Sequence, residues 1–259
     1  MSLATCVLSQ DGEVSDEYIR ETKNGPVQGF SYDETRNYSE IFLPSKVDQE
    51  VLINEEYHTE IYLGIPYAQS PTGKLRWKPT KPFTEKLTDD GSPYDATYTR
   101  NSCKRTDFSR SHGEDCLYLN VFVPKRAVQD NRTVAVAVWL HGGGFEDGSG
   151  GVLIYDGRFW ADESDMVLVT INYRLGPFGF LSWNHLEPGE ETVGNYGLMD
   201  QEMAFKWVKD NIANFNGDPN KVQVFGQSAG GMSIGCHLLR EKDRSEEEKL
   251  FNSAVMHSV

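Results

Sequence analysis

Two long apolar runs, each ending in a turn, constrain the fold of this 259-residue chain most strongly. They are TVAVAVWLHG, which begins at residue 133, and MVLVTINYR, which begins at residue 166. Both runs are almost continuously apolar, so both faces of each strand need to be covered. Such strands are typical of parallel sheets with helices on both sides. The sequence therefore predicts an α/β fold with a mostly parallel central sheet.

Helical and strand patterns alternate after these two runs. In NYGLMDQEMAFKWVKDNIANF, apolar residues recur at steps of seven, three, four and three, which places them on one helical face. These residues are Leu198, Phe205, Val208, Ile212 and Phe215. Gly217 and Pro219 predict the end of this helix. KVQVFG then predicts a strand, AGGMSIGCHLL a helix and NSAVMHS a further strand.

The first part of the chain has a different pattern. GPVQGFSYDE and EIYLGIPYA predict the strands of an N-terminal antiparallel region, and the alternating stretch CLYLNVFVP predicts a strand that ends at Pro124. The segment from Tyr38 to Glu60 is either a long connection or an extra hairpin, and SPTGKLRWKPTKPF predicts a loop. Residues 1–25 are polar and are expected to form a flexible segment ahead of a domain over residues 26–259.

Charge and composition limit the classes of partner. The formal net charge is −14, which would repel a phosphate backbone, so nucleic acid is not expected as a partner. No apolar run reaches the roughly 18 residues of a membrane span. The N-terminal residues lack the basic and apolar regions of a signal peptide. No motif indicates a cofactor, and the oligomeric state is left open.

Two of the four cysteines, Cys103 and Cys116, lie close together in the sequence. A metal site would need further ligands, and only His112 lies nearby, so a local disulfide is the favoured interpretation. Such a disulfide would contribute about 3 kcal/mol to stability and would indicate an oxidising compartment. Two sequons, at Asn37 and Asn131, predict glycosylation sites of a protein in that compartment.

The pentapeptide Gly226-Gln227-Ser228-Ala229-Gly230 lies between the predicted strand KVQVFG and the helix after it. A serine in such a tight turn is the setting of a nucleophile elbow, where the hydroxyl projects above the end of the sheet. Gly226 and Gly230 leave room for the strained turn, and the helix N-terminus favours negative charge near the serine. The alternative is a purely structural glycine turn. We predict that Ser228 is a catalytic nucleophile.

A second glycine turn, His141-Gly142-Gly143-Gly144, follows the run TVAVAVWLHG. Glycines let backbone N–H groups approach the oxyanion that forms during acyl transfer, and each donor can contribute about 2.7–4 kcal/mol. Ala229, the residue after the nucleophile, would supply a further donor. A phosphate-binding loop is the alternative. However, no Gly-Lys-Ser/Thr ending is present, and Glu146 and Asp147 would repel phosphate.

In combination these motifs resemble those of the type-B carboxylesterases, the cholinesterase-like branch of the α/β-hydrolase fold. The matching stretches run in the family's order from residue 26 onward and are GPVQGF, YLGIPYAQSPTGKLRWKP, EDCLYLNVFVP, VWLHGGGFEDGSG, INYRLGPFGFLS, GNYGLMDQEMAFKWVKDNIANFNGDPNKVQVFGQSAGG and SAVMHS. The resemblance implies a serine carboxylic ester hydrolase that forms an acyl-enzyme on Ser228 and acts on a small-molecule ester. Gly143, Gly144 and Ala229 match the donors of the family's oxyanion hole.

The resemblance also implies several structural pairs. Cys103 and Cys116 match the family's first disulfide, which together with the family places the protein in the secretory pathway or outside the cell. Two ion pairs are expected to be buried, and breaking either would cost about 3–5 kcal/mol. These pairs are Arg76 with Glu114 and Arg174 with Asp200.

The chain departs from the family after the nucleophile. The triad acid and histidine follow the nucleophile in the family, in a part of the fold that is absent here. His237 and His257 are the histidines downstream of Ser228, and neither is expected to be the base; Glu246 to Glu248 form a solvated charge run. We therefore expect a truncated α/β-hydrolase fold that corresponds to an N-terminal half. An inactive esterase fragment and a non-catalytic cholinesterase-like adhesion or scaffold protein are the alternatives.

Two differences from cholinesterases bear on the substrate. The stretch KRTDFSRSHGED between Cys103 and Cys116 holds one aromatic residue, Phe108, and lacks the tryptophan with which cholinesterases bind choline. Gln227 occupies the position before the nucleophile, where cholinesterases have glutamate. Both features favour a general carboxylic ester over a choline ester. Trp77 lies outside that stretch and is expected to pack structurally.

Overall fold

The computed structural model describes residues 18–37, 53–105, 112–183 and 194–259. Twelve strands and five α-helices lie within these residues. The strands are β1 (Ile19–Thr22), β2 (Gly25–Gln28), β3 (Phe30–Asn37), β4 (Ile53–Pro66), β5 (Tyr94–Asp95), β6 (Ser102–Cys103), β7 (His112–Gly113), β8 (Tyr118–Pro124), β9 (Val134–Leu140), β10 (Val167–Ile171), β11 (Gly217–Gln227) and β12 (Ser253–His257). The helices are α1 (Lys125–Gln129), α2 (Arg158–Ser164), α3 (Gly176–Phe180), α4 (Tyr196–Asn211) and α5 (Ala229–Glu241).

A seven-stranded mixed sheet forms the centre of the described chain, in the order β12-β11-β9-β10-β8-β4-β3. The pairs from β12 to β10 are parallel, and the pairs from β10 to β3 are antiparallel. The parallel half contains the two apolar runs that predicted it, and the antiparallel half is the expected N-terminal region. The α/β-hydrolase arrangement expected from the sequence is therefore confirmed.

Alternate residues of β9 belong to two different parts of the core. Val136 and Val138 pack in a large cluster that also contains Phe205 of α4 and Ile234 of α5. Ala137 packs in a smaller cluster that also contains residues of α2, β8 and β10. Because successive side chains of a strand point to opposite faces, helices cover both faces of the sheet. This explains why no residue of β9 is a polar one that would need contact with water.

The predicted amphipathic helix is present as α4, followed by a 3₁₀ turn over Ile212–Phe215. Four of the five residues of the predicted apolar stripe are buried, and Leu198, at the beginning of the helix, is half-buried. Lys206 and Asp210 on the opposite side are exposed. The spacing of apolar residues thus predicted the buried face of this helix.

The N-terminal strands form two hairpins. β1 pairs with β2 around a turn that Thr22 closes by donating its hydroxyl to the carbonyl of Gly25 at 2.7 Å. β1 therefore lies inside the segment that was expected to be flexible, of which residues 1–17 lie outside the described residues. β3 pairs with β4 in antiparallel register as far as residues 37 and 53. The described part of the segment from Tyr38 to Glu60 is thus one arm of an extra hairpin.

The expected disulfide joins Cys103 and Cys116, and both cysteines are buried. The ion pair between Arg174 and Asp200 is also buried as expected, with side chains 3% and 0% exposed. Two hydrogen bonds of 2.8 Å join its guanidinium to the carboxylate, and a third runs from the guanidinium to the carbonyl of Lys78 at 2.9 Å. This pair therefore ties the loop after β4 to α4.

The second ion pair differs from the expectation. Arg76 does bind Glu114, with Nη2 at 2.7 Å from Oε1, but their side chains are 38% and 23% exposed. Both residues lie on surface loops, where water solvates the charges, so the expectation of a buried pair was wrong. Loss of this pair is expected to cost much less than loss of the buried one.

Candidate active site

Ser228 lies in the turn between the end of β11 and the beginning of α5. Its φ of 54° and ψ of −121° fall in a region that non-glycine residues seldom adopt. The turn is tight, because a Cβ on residue 230 would lie 2.1 Å from the carbonyl oxygen of Leu140. Glycine is therefore required at that position. The geometry of this turn, which we call the elbow (residues 226–230), matches the predicted strand–turn–helix setting of a nucleophile.

Backbone hydrogen bonds hold Ser228 in this conformation. Its N–H donates to the carbonyl of His257 at 2.9 Å, and its carbonyl accepts from the N–H of Met232 at 2.9 Å. The serine is half-buried, and Ala229 begins α5. The N–H of a first helical residue has no partner within its own helix, so that of Ala229 is available to a negative charge near the serine.

The glycine turn after β9 lies directly against the elbow. A Cβ on Gly142 would lie 3.2 Å from the Cβ of Ser228 and 2.6 Å from Oε1 of Gln227. The two motifs are far apart in sequence, but parallel pairing of β9 with β11 brings their carboxyl ends together. We call residues 141–150 the glycine loop. Elbow and glycine loop thus form one site at the end of the sheet.

Gly143 and Gly144 both have positive φ, at 112° and 61°. A Cβ on Gly143 would lie 2.2 Å from the carbonyl oxygen of Asp147, so the loop also excludes side chains sterically. The carbonyl of Gly143 accepts hydrogen bonds from the N–H groups of Glu146 and Asp147, each at 3.0 Å. In a trans peptide the next N–H points the opposite way, so the N–H of Gly144 faces away from these donors.

His141 begins the glycine loop and is almost completely buried. Its Nδ1 lies 2.8 Å from the carbonyl oxygen of Gly142. Burial lowers the pKa of this imidazole to about 4, so it is neutral near pH 7. A carbonyl oxygen only accepts, so the single proton of the neutral ring lies on Nδ1. His141 therefore acts as a hydrogen-bond donor inside the loop.

The two histidines that follow Ser228 in the sequence, His237 and His257, have different surroundings from His141. His237 is buried in α5, where its Nε2 lies 2.8 Å from Oε1 of Gln201 and its ring contacts Phe205 edge to face. Burial lowers the pKa of His237 to about 4. The side chain of His257 is exposed at the end of β12, and its backbone carbonyl accepts the hydrogen bond from the N–H of Ser228. His237 thus belongs to the packing between α4 and α5.

The acidic run after α5 is bound to its own neighbours. Glu246 pairs with Lys249, and Glu248 accepts a hydrogen bond of 2.8 Å from the hydroxyl of Ser245.

Among the described residues, no group of three His, Cys, Asp or Glu side chains could hold a metal ion. Within the same residues, no helix is long and apolar enough to cross a membrane.

The remaining residues singled out in the sequence belong to other elements or lie outside the described residues. Asn131 is exposed in a left-handed turn before β9, and Asn37 is the last residue of β3; glycosylation of both stays a prediction. Trp77 packs structurally, since its ring stacks on Phe178 and its indole N–H donates to the carbonyl of Pro177 at 3.0 Å. Phe108 lies outside the described residues.

Sequence reasoning assigned no role to Asn172 and Tyr173, which contact the glycine loop. Oδ1 of Asn172 accepts hydrogen bonds from the hydroxyl of Ser149 at 3.0 Å and the N–H of Gly150 at 2.8 Å. Tyr173 contacts the other end of the loop. The sequence signal at these positions is INYR, which lies in a stretch that resembles the family.

Comparison with known proteins agrees with the fold. The model of the Carboxylesterase family matches residues 48–259, so the chain belongs to that family. A solved structure of a PNB esterase superposes with a TM-score of 0.71 at 37% identity, over 93% of this chain and 44% of that structure. The α/β-hydrolase fold inferred from the motifs is thereby confirmed.

Curated relatives include enzymes with different substrates in their names. The acetylcholinesterase of Electrophorus electricus is 40% identical over 80% of this chain, and the fumonisin B1 esterase of Sphingopyxis macrogoltabida is 44% identical over 78% of it. These matches cover 33% and 37% of the two relatives. The chain thus spans about a third of the length of the curated relatives it matches.

Proposed function

We propose that this chain carries the nucleophile and oxyanion hole of a serine carboxylic ester hydrolase, with Ser228 as nucleophile. The observation that carries the proposal is the contact of the glycine loop with the strained elbow around Ser228. A structural turn alone would not need a second side-chain-free loop beside its serine. Membership of the carboxylesterase family supports the same reaction class.

In the proposed reaction, the hydroxyl oxygen of Ser228 attacks the carbonyl carbon of an ester. The carbonyl oxygen becomes an oxyanion, which the N–H groups of Gly143, Gly144 and Ala229 would stabilise by about 2.7–4 kcal/mol each. A base takes up the serine proton during the attack and passes it to the departing alkoxide, so that the tetrahedral intermediate releases an alcohol and leaves an acyl-enzyme. Water attacks the acyl carbon through a second oxyanion and releases the carboxylic acid, which regenerates the serine.

The proton of Ser228 needs a base, and we infer that the triad histidine and acid are not among residues 1–259. The Nε2 of His237 is hydrogen-bonded to Gln201, and the side chain of His257 is exposed at the end of β12. Without a base the serine is a weak nucleophile, and only the oxyanion hole and substrate binding would promote the reaction. The 259-residue chain alone is therefore expected to be far less active than a gene product that supplies the base.

We further propose that the substrate is a general carboxylic ester and not a choline ester. Gln227 is neutral, and it lies beside Gly142 at the site, where cholinesterases have an acidic residue. A neutral side chain there provides no charge attraction for a quaternary ammonium group. Faster turnover of p-nitrophenyl butyrate than of acetylthiocholine is expected. The reverse preference would contradict this assignment.

A fluorophosphonate probe tests the proposed nucleophile directly. The 259-residue chain and the longest gene product that contains it are labelled side by side, and the modified residue is identified by mass spectrometry. We expect labelling at Ser228 in the active product, loss of labelling in Ser228→Ala, and normal labelling in Ser245→Ala, which changes an exposed serine. Folded protein without labelling or ester turnover would favour a non-catalytic role.

The buried disulfide supports an oxidising compartment as the location of the protein. We propose the secretory pathway or the extracellular space, in agreement with the sequons. Mass spectrometry of the protein from its native source would show glycans at Asn37 or Asn131 and an intact Cys103–Cys116 bond. Free thiols at both cysteines would contradict this location.

A further inference from the structure

Tyr173 holds the beginning of the glycine loop by two contacts with one residue. Its buried phenol O–H donates to the carbonyl oxygen of His141 at 2.8 Å. Its ring also stacks on the imidazole of His141, with centroids 4.3 Å apart and planes 13° from parallel. Both the backbone and the side chain of His141 are therefore fixed by a residue that follows β10.

His141 passes this restraint to the next peptide. Its Nδ1–H donates to the carbonyl oxygen of Gly142, and the Gly142–Gly143 peptide is trans. The N–H of Gly143 therefore points away from the imidazole. Rotation of this peptide would break the hydrogen bond and leave the Gly142 carbonyl without its buried donor.

We propose that Tyr173 is a positioning residue of the oxyanion hole, which acts through His141 to orient the Gly143 N–H towards the oxyanion formed at Ser228. The inference rests on the proposed function, because it concerns the same site. Asn172, its neighbour, holds the far end of the glycine loop by accepting from Ser149 and Gly150. Two consecutive residues after β10 thus fix both ends of the loop.

The chemistry of the side chains fits this role. A phenylalanine at position 173 would keep the ring stacking but would leave the His141 carbonyl without its donor. The neutral imidazole supplies one proton, on Nδ1, which matches the single acceptor that it faces. Its Nε2 is buried without a hydrogen-bond partner among the described residues, so its contribution to polar bonding comes through Nδ1.

Kinetics of the esterase-active product test the proposal with two matched variants. Tyr173→Phe removes only the hydroxyl, and we expect kcat to fall about tenfold with KM unchanged, because the oxyanion forms only in the transition state. Tyr62→Phe removes another buried tyrosine hydroxyl, which donates to Glu60 away from the site, and is expected to keep kcat. Equal kcat in Tyr173→Phe and wild type would overturn the proposal, as would equal losses in both variants.

Hydrogen exchange on the 259-residue chain provides a readout without catalysis. The N–H groups of Glu146 and Asp147 are bound to the Gly143 carbonyl, so their exchange reports the order of the loop. Tyr173→Phe is expected to speed their exchange about five- to tenfold, while the exchange rates in β10 stay unchanged. Tyr62→Phe is expected to leave the exchange of the loop unchanged. Unchanged exchange would overturn the positioning role even if Ser228 were a confirmed nucleophile. Faster exchange, combined with a folded longest gene product that neither turns over esters nor is labelled at Ser228, would instead retain the positioning of the loop and reject the proposed reaction.

A second pair of variants tests the step through His141. His141→Asn places an amide N–H close to the position of Nδ1, whereas His141→Leu provides no donor. We expect His141→Leu to lower kcat and to speed the exchange of the loop N–H groups. His141→Asn is expected to cause much smaller changes in both quantities. Equal loss in both variants would show that the imidazole acts by packing alone and would overturn the relay through its Nδ1.

Discussion

The two turns that form the site are stabilised in different ways. Backbone atoms hold the elbow, since the carbonyl of His257 binds the N–H of Ser228 and the carbonyl of Leu140 lies against Gly230. Side chains hold the glycine loop, above all those of Tyr173 and Asn172. The elbow should therefore tolerate the loss of a neighbouring side chain, whereas the loop should lose order when Tyr173 or Asn172 is truncated. Four measurements can break or sharpen this comparison.

The largest effect is expected from Gly230→Ala in the elbow. The new Cβ would lie 2.1 Å from a backbone oxygen of β9, which cannot move without disrupting the sheet. We expect a loss of about 4–5 kcal/mol in the free energy of unfolding, measured by urea denaturation. Gly144→Ala is the control, because its Cβ meets no atom within 4 Å and only its φ of 61° is unfavourable, at about 1–2 kcal/mol. Equal losses would contradict the steric account of the elbow.

Acid should destabilise the glycine loop through His141 and the helix after the elbow, α5, through His237. His141 and His237 have a pKa of about 4 in the folded chain and 6.5 as the ordinary value, because burial disfavours the charged ring. The unfolded chain therefore binds more protons below pH 6.5, and stability falls as the pH decreases towards 4. Each histidine would contribute up to about 3 kcal/mol to this loss.

Urea denaturation between pH 8 and pH 4 measures the effect. His237→Gln and His141→Asn should each reduce the pH dependence by roughly half, since each removes one of the two groups. A pH dependence that neither substitution alters would show that other groups cause the acid sensitivity.

A smaller effect is expected from Asn172→Ala. The change removes the acceptor of Ser149 and Gly150 in the glycine loop, and one buried unsatisfied N–H costs about 1–3 kcal/mol. Thermal unfolding would record the loss of stability, and hydrogen exchange should locate it in the loop while α5 stays protected. Exchange that increases mainly in α5 would contradict the separate support of the two turns.

The smallest effect is expected from His257→Ala. The carbonyl that binds Ser228 is part of the backbone and remains, while the deleted side chain is exposed. We expect the free energy of unfolding to change by less than about 0.5 kcal/mol. A loss of 2 kcal/mol or more would show that the elbow does depend on this side chain.

Local patterns predicted the elements of the elbow well. The strand before Ser228, the glycines around it and the helix after it all follow from adjacent residues, so propensity and steric fit suffice to infer them. The stripe of α4 was predicted for the same reason. The expected burial of Arg76 with Glu114 was wrong, because exposure depends on what else covers the two loops.

The sequence by itself determined which residues can form strands, helices and side-chain-free turns in this protein, because these properties depend on neighbours in the chain. Only the tertiary structure decided that Gly142 lies against Ser228 and that Tyr173 holds His141. Those contacts depend on the parallel pairing of β10, β9 and β11 as neighbours in the sheet. This pairing brings the turns after the three strands together at the carboxyl ends of the strands. Parallel pairing is non-local, so no single stretch of sequence contains it.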